Sequence, residues 1–264
     1  MRKPDEERDL IRALSRGLDM ILAFSHHRVR MTLTEAAEAT GLSRPTARRI
    51  LLTLQDQGYV RTDGKTFALT PRVLALGYAY LSSLNLTEIT QPFMERVVQA
   101  TGEGCSLATL DDTDVVYVTR VPTHRVTSIT LATGTRLPAH ATSLGHVLLA
   151  DLTTAELDRY LSRADLRPLT ARTIRTPAEL IERLNLVREQ GWAMVDQELE
   201  EGLRSIAAPV RDANGRVIAA MGLSSLIATT DADAVREQLL PPLLTATNGV
   251  STELGAGLNR MGER

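Results

Sequence analysis

The stretch that most constrains this chain runs from Leu33 to Leu69, whose pattern fits a helix-turn-helix followed by a two-stranded wing. Ala47, Ile50, Leu51 and Leu54 recur at i, i+3, i+4 and i+7, the apolar stripe of a helix buried on one side. Arg44, Pro45, Thr46, Arg48, Arg49 and Thr53 fall largely on its other side, leaving a basic, hydroxyl-bearing face to solvent. A shorter helix with Leu33, Ala36 and Ala37 inward is expected before it, ending at Gly41, where a tight turn needs a left-handed residue. Ser43 is a good N-cap and Pro45 sits where a missing N–H costs little, so the second helix is expected to begin at about Arg44. After Gly58, the runs Tyr59–Thr62 and Lys65–Leu69 flank Asp63-Gly64, a pair suited to a two-residue hairpin.

That order of elements is a winged helix. In such a module the second helix enters the DNA major groove, and the wing carries cations, here Arg61 and Lys65, towards a phosphate backbone. The arginines alone are equally compatible with a solvated helix face. The turn, the cap and the Asp-Gly wing together favour double-stranded DNA.

Charge supports the same end of the chain. The net charge of −2 conceals an asymmetry, since residues 1–80 hold 13 Lys and Arg against 9 Asp and Glu. The remainder is acidic. Only Lys3 and Lys65 are lysines, so arginine supplies nearly every cation and with it the capacity for bidentate contacts. The single cysteine, Cys105, excludes an internal disulfide and a cysteine-rich zinc site. Met1-Arg2-Lys3-Pro4-Asp5 opens no apolar signal segment and no apolar run approaches a membrane span, so no membrane partner and a cytoplasmic location are expected. No cofactor is expected.

A first helix is expected over Asp9–Phe24, with Leu10, Ala13, Leu14, Leu18, Ile21 and Leu22 on the side that packs beneath the helix-turn-helix. His26 and His27 follow in a loop with Arg28 and Arg30, where adjacent spacing and the lack of nearby acids argue against a metal site. After the wing, Thr70-Pro71 caps a long helix carrying Val73, Leu74, Leu76, Gly77, Tyr80, Leu81 and Leu84. So much apolar surface between two domains points to a homodimer or a tetramer. The expected division is residues 1–70 for the winged helix, 71–86 for the linker helix and 87–264 for a second domain.

In that second domain a helix is expected over Thr87–Ala100 with Ile89, Phe93, Val97 and Ala100 inward. Strand-like runs follow at Cys105–Leu110, Val115–Arg120 and Val126–Leu131, as a meander. A loop at Ala139–Gly145 leads into a helix through His146–Ala150, and further helices are expected at Thr153–Leu161 and Thr176–Glu189. Strands Ile206–Val210 and Val217–Leu223 flank the turn Asp212-Ala213-Asn214-Gly215, and a long helix begins at about Ala232. Hairpin strands with helices grouped between and after them make an α+β sheet sandwich, rather than a doubly wound parallel sheet.

Four separated motifs then carry a resemblance. Thr34–Tyr59, the phrase Leu69-Thr-Pro-Arg-Val-Leu-Ala-Leu-Gly77, the loop Leu137-Pro-Ala-His-Ala-Thr-Ser-Leu-Gly145 and the run Asp196-Gln-Glu-Leu-Glu-Glu-Gly-Leu-Arg-Ser-Ile-Ala207 together resemble the IclR family of bacterial transcription regulators, over nearly the whole chain. The linker phrase, extended through Gly77-Tyr-Ala-Tyr-Leu-Ser-Ser83, is similar to the branch that includes PcaR, PcaU and PobR, regulators of protocatechuate, 4-hydroxybenzoate and β-ketoadipate catabolism. The resemblance implies a GAF-like or PAS-like antiparallel sheet with flanking helices that binds a small acid effector. It implies effector contacts from Ser143 and Leu144, from Asp196 and Ser205, and from Gly222 and Ser224. Ser143 and Leu144 replace the Gly-Ala of the glyoxylate-responsive member, so a differently shaped pocket is expected.

The residues themselves offer a related reading. A helix N-terminus after the Ala139–Gly145 loop would favour a carboxylate, with Thr142 and Ser143 adding hydroxyls; a simple cap is the alternative role of either hydroxyl. Arg204 and Arg136 are candidate counter-ions for an acid, and surface salt bridges are the alternative fate of both. An enzyme with Ser143 or Cys105 as nucleophile beside His140 lacks every supporting motif: there is no Gly-x-Ser-x-Gly elbow, no His-Glu-x-x-His run and no phosphate-binding glycine loop. No catalytic residue is expected. A purely architectural DNA-binding protein would leave the polar residues Thr142, Ser143, Ser205 and Ser224 without a use.

Overall fold

A computed structural model describes residues 11–24, 28–76, 86–123 and 132–256. The chain separates into two compact units, Met1–Leu84 and Asn85–Arg264. The expected positions Leu10, His26, His27, Gly77, Tyr80, Leu81, Leu84 and the strand Val126–Leu131 lie outside the described residues.

The first unit contains α1 (Arg12–Leu22), β1 (Met31–Thr32), α2 (Leu33–Thr40), α3 (Arg44–Asp56), β2 (Val60–Thr62) and β3 (Thr66–Leu69). Thr32 caps α2 reciprocally with Glu35: the Thr32 N–H donates to the Glu35 carboxylate at 2.7 Å, while the Thr32 hydroxyl accepts from the Glu35 N–H. Gly41 closes α2 in the left-handed conformation at φ 64°, and Ser43 caps α3 through the Thr46 N–H, as the sequence suggests. The small core holds Met20, Phe24, Met31, Ala36, Ala37, Ala47, Leu51 and Val60.

Three expectations for this unit are corrected. The wing has three strands, in the order β1-β3-β2, because Met31 and Thr32 pair with Phe67 and Thr66. A two-residue strand has no periodicity to read. The wing loop spans four residues, since Thr62 pairs with Phe67. The Asp63 carboxylate closes it by accepting from the N–H groups of Lys65 and Thr66 at 2.9 and 2.7 Å, which together hold that carboxyl far below its ordinary pKa. Finally, α1 is turned outward relative to its expected stripe. Met20 and Phe24 are buried, whereas Ala13 is exposed and Leu14, Leu18 and Leu22 are 61%, 49% and 78% exposed.

Beyond the wing, Thr70 accepts from the Arg72 N–H and caps a short 3-10 turn over Pro71–Val73. Leu74 and Leu76 are exposed.

The second unit is built on one antiparallel sheet of six strands in the order β6-β5-β4-β9-β8-β7. They are β4 (Cys105–Asp111), β5 (Asp114–Val121), β6 (Arg136–Pro138), β7 (Ala193–Asp196), β8 (Leu203–Arg211) and β9 (Val217–Leu226). Helices α4 (Leu86–Thr101) and α8 (Leu240–Glu253) pack together and against the sheet, while α5 (Ser143–Ala150) and α7 (Pro177–Gln190) form a second packed pair. Helix α6 (Thr154–Leu161) opens with the Thr153–Glu156 capping box. The expected α+β arrangement, an antiparallel sheet with flanking helices, is the one the structure has. The edge strands β6 and β7 escaped notice because each is three or four residues long.

Helix α4 buries Leu86, Thr90, Met94, Val97 and Val98, so its inward face is rotated from the expected one and Ala100 is exposed. Helix α5 begins three residues earlier than expected, at Ser143, and all eight of its residues are buried. A helix apolar all round carries no 3.6-residue pattern to mark its start.

Candidate functional sites: a basic helix face and a largely apolar cavity

Helix α3 presents Arg44, Pro45, Arg48, Arg49 and Thr53 to solvent. None of the three arginines forms an ion pair with a described residue, so their guanidinium donors remain available. Thr53 turns its hydroxyl back onto the Arg49 carbonyl at 2.9 Å. Thr46 is half-buried, and its hydroxyl lies 2.9 Å from that of Ser43 within the cap. Arg61 and Lys65 are both exposed on the wing. The Arg30 guanidinium pairs with Asp63 at 3.0 Å across the wing loop. The surface is a row of cations, unpaired among the described residues, on a helix whose opposite side is the core, as a groove-reading helix requires.

The second site is a cavity of about 490 Å³ between α5 and the sheet face beneath it. Of the expected effector residues, Thr142, Ser143, Leu144, Ser205, Gly222 and Ser224 line it. Thr142 accepts the Gly145 N–H at 3.0 Å and is thus the helix cap, the simpler of its two expected roles. Ser143 is buried and donates to the Ser205 hydroxyl at 3.0 Å, which ties the helix start to β8. Two glycines allow this closeness. A β-carbon on Gly145 would lie 2.0 Å from the Ala139 carbonyl oxygen, and one on Gly222 would lie 2.8 Å from the Ile206 oxygen and 3.0 Å from the Leu144 side chain.

Asp196 and Arg204 do not line the cavity. Strand alternation explains this, because Arg204 pairs across the sheet with Ser225 and so faces away from its neighbours Ser205 and Ser224. Asp196 accepts from Arg204 at 3.1 Å and also pairs with Arg172, while Arg204 donates to the Thr230 carbonyl at 3.0 Å. The pair is an ion cluster at the β7–β8 edge. Arg136 is likewise occupied, by Asp111 and Asp114, and is no counter-ion for an acid in the cavity.

The cavity holds residues that sequence reasoning passed over: Ser106, Tyr117, Arg120 and Leu137, with Glu103 buried and Glu200 exposed beside them. A β-bulge decides which of these face inward. Ser106 pairs with Arg120, but Ala108 pairs with Tyr117 rather than with the residue strict alternation would select. The extra residue on β5 brings Tyr117 and Arg120 to the same face, although they are three positions apart. Arg120 is the only cation lining the cavity among the described residues, and its Nη1 is buried without a hydrogen-bond partner. Burial pushes the Tyr117 phenol up to about 12, with the nearby Arg120 charge opposing the rise, so it stays neutral near pH 7.

Below the cavity the packing is polar but closed. His146 is fully buried, its Nε2 lying 2.6 Å from the His140 carbonyl, so that nitrogen is the donor and the ring is neutral. Desolvation pushes its pKa down to about 4. Cys105 is buried and burial raises its thiol, which leaves it no nucleophile. Among the described residues there is no cluster of three or more His, Cys, Asp or Glu placed to hold a metal, and no helix long and apolar enough to cross a membrane.

Both parts of the chain match known protein families. The pattern described as "IclR helix-turn-helix domain" matches residues 13–64, and that described as "Bacterial transcriptional regulator IclR C-terminal" matches residues 78–252. The Pca regulon regulatory protein of Pseudomonas putida is 41% identical over 247 residues, covering 93% of this chain and 85% of that protein. The p-hydroxybenzoate hydroxylase transcriptional activator of Acinetobacter baylyi is 38% identical over 245 residues, covering 91% and 90%. The crystal structure of an IclR homolog of Microbacterium hydrocarbonoxydans, complexed with 4-hydroxybenzoate, superimposes with a TM-score of 0.81 at 26% identity over 92% of this chain and 98% of that one. The chain belongs to the IclR family of bacterial transcription regulators, as a DNA-binding regulator with an effector-binding domain and not an enzyme.

Proposed function

We propose that this regulator binds its operator through the exposed face of α3 and the wing, and that a small organic acid of the aromatic class modulates that binding. The observation that carries the effector half is the 490 Å³ cavity, which joins hydroxyls and one unpaired guanidinium nitrogen to leucine side chains. A cavity of that size has ample room for a small aromatic acid, and a few polar groups in a mostly apolar lining fix orientation. Relatives named for the pca regulon and for p-hydroxybenzoate hydroxylase, and a homolog holding 4-hydroxybenzoate, support the aromatic class.

The reading extends to assembly, as a homodimer or a tetramer. Ile11, Leu14, Leu18 and Leu22 form an exposed apolar stripe on α1, with Leu74 and Leu76 exposed beyond the wing. A second copy would cover such a stripe. The proposed organisation is a winged helix over residues 1–70, a connecting helix over 71–86 and the effector domain over 87–264, in a cytoplasmic protein.

A thermal-shift screen of the purified protein against 4-hydroxybenzoate, protocatechuate, β-ketoadipate and acetate tests the effector class. A ligand that binds only the native state raises the melting temperature, by about 2.7 kcal/mol of stabilisation at a hundred times its Kd. An aromatic acid should raise it and acetate should not. A screen in which none of the aromatic acids shifted the transition would remove the proposed class.

A further inference from the structure

The expected anchor for an acid was the α5 N-terminus near Ser143, with Arg204 or Arg136 as counter-ion. The side chains expected there are engaged: the Thr142 hydroxyl accepts the Gly145 N–H, the Ser143 hydroxyl is bonded to Ser205, and both arginines are held by aspartates. The cavity's charge lies instead on β5. Resting on the effector reading above, we propose that Arg120 binds the effector's carboxylate, and that the ligand is an aromatic acid whose ring packs beside Tyr117 and whose far polar substituent reaches the serine cluster of Ser143, Ser205 and Ser224.

Three observations place it there. The first is the buried Nη1 of Arg120, which has no partner. Leaving a charged donor unpaired in a dry site is costly, and a carboxylate is the group whose planar geometry a guanidinium satisfies best. The second is the β5 bulge, which turns Arg120 and Tyr117 onto one face and so sets a cation next to an aromatic wall. The third is the spacing across the sheet. Arg120, Ser106, Gly222 and Ala207 form one cross-strand row over β5, β4, β9 and β8, and Ser205 lies two residues along β8 from that row. Three strand spacings and two residues separate the backbones by roughly 16 Å, room for a para-substituted benzoate with a hydrogen bond of about 2.8 Å at each end.

Arg120 is the one cation in the lining among the described residues, so a second carboxylate at the serine end would find no counter-ion, whereas a hydroxyl can donate or accept there. A hydroxylated aromatic monocarboxylate therefore fits better than an aliphatic dicarboxylate of the same length.

The test is isothermal titration of the full-length protein with 4-hydroxybenzoate, its neutral analogue 4-hydroxybenzamide, benzoate and adipate. Wild type should bind the acid at least about tenfold more tightly than the amide, roughly 1.4 kcal/mol. Arg120→Gln should reduce that preference to less than about twofold while Arg120→Lys retains most of it, with melting temperatures establishing that both variants fold. Ser224→Ala should narrow the preference for 4-hydroxybenzoate over benzoate and leave the acid-to-amide ratio unchanged. If Arg120→Gln keeps the wild-type preference for acid over amide, the carboxylate docks elsewhere and the inference is overturned while the effector reading stands. If wild type prefers adipate, the cavity still senses acids but the aromatic assignment is overturned. If wild type binds none of the four, the effector reading fails and the inference with it.

Discussion

Gly145 offers the most demanding test of the second unit's packing. On an exposed helix, replacing glycine by alanine stabilises a protein by up to about 1 kcal/mol, because alanine is the better helix former. Gly145 lies inside α5 but against the Ala139 backbone, where a new β-carbon would sit 2.0 Å from the carbonyl oxygen and 2.5 Å from the α-carbon. An ordinary non-bonded contact is about 3.5 Å, so helix and turn must separate by roughly 1.5 Å. The obstacle is main chain, which cannot rotate out of the way as a side chain can. Overpacking of this kind costs about 1–3 kcal/mol and occasionally more, which outweighs the helix preference. For a unit of this size each kcal/mol is worth about 2–4 °C, so Gly145→Ala should melt roughly 4–10 °C below wild type when followed by circular dichroism. The same separation would pull Ser143 from Ser205, so the thermal shift given by an aromatic acid should also shrink. A variant that melts at or above the wild-type temperature would refute the close approach of α5 to the Ala139–Ala141 turn.

Other perturbations address other parts. Arg49→Ala should weaken operator binding by about 1–3 kcal/mol in a sequence-dependent way if the side chain reads a base edge, whereas Lys65→Ala should weaken all sequences alike and lower the salt slope by about one; gel shifts at two salt concentrations separate them. Ser143→Trp should fill the cavity, leaving a folded protein whose aromatic-acid thermal shift is gone, and retention of the wild-type shift would place the ligand elsewhere. His146 has a folded-state pKa near 4 against 6.5 unfolded, so below about pH 6.5 the unfolded chain binds a proton that the native state does not. Stability should accordingly fall between pH 6.5 and 4, and a His146→Leu variant should show a shallower fall in melting temperature over that window. Leu14→Glu with Leu18→Glu should reduce the mass seen by light scattering if the α1 stripe is covered by a second copy; an unchanged mass would clear α1 of that role.

The sequence was most informative where local rules act alone. Ser43, Gly41 and the Ala47–Leu54 stripe determine their own conformations, so α2 and α3 were legible almost to the residue, and the wing only as its hairpin. It misled where two faces of one element were both apolar enough to serve as core. In α1 the leucines mark one stripe and Met20 with Phe24 another, and the second is the buried one. It was silent where an element is short or buried on all sides, as in β1, β6, β7 and the start of α5.

The candidate site divides in the same way. Ser143 and Ser205 lie in the motif segments, Gly222 and Ser224 were expected from the family resemblance, and all four line the cavity. Asp196 and Arg204 belong to the same segments but face the opposite side of the sheet, a distinction that pairing register alone reveals. Arg120 was unreadable in advance, because strict alternation along Val115–Arg120 puts it opposite Tyr117, and only the bulge reverses that.

The account's central claim is that acid binding and operator binding are energetically coupled, and a linked titration tests it most directly. Fluorescence anisotropy of a labelled operator, measured with and without saturating 4-hydroxybenzoate, gives the factor by which the acid changes DNA affinity. Calorimetric titration of the acid into protein with and without operator gives the reverse factor. An effector can shift DNA affinity only by binding two arrangements of the protein unequally, and the two factors must then be equal, typically about 5- to 150-fold. The account predicts equal factors well above one, abolished together by Ser143→Trp. An acid that binds the cavity while leaving operator affinity unchanged would contradict it.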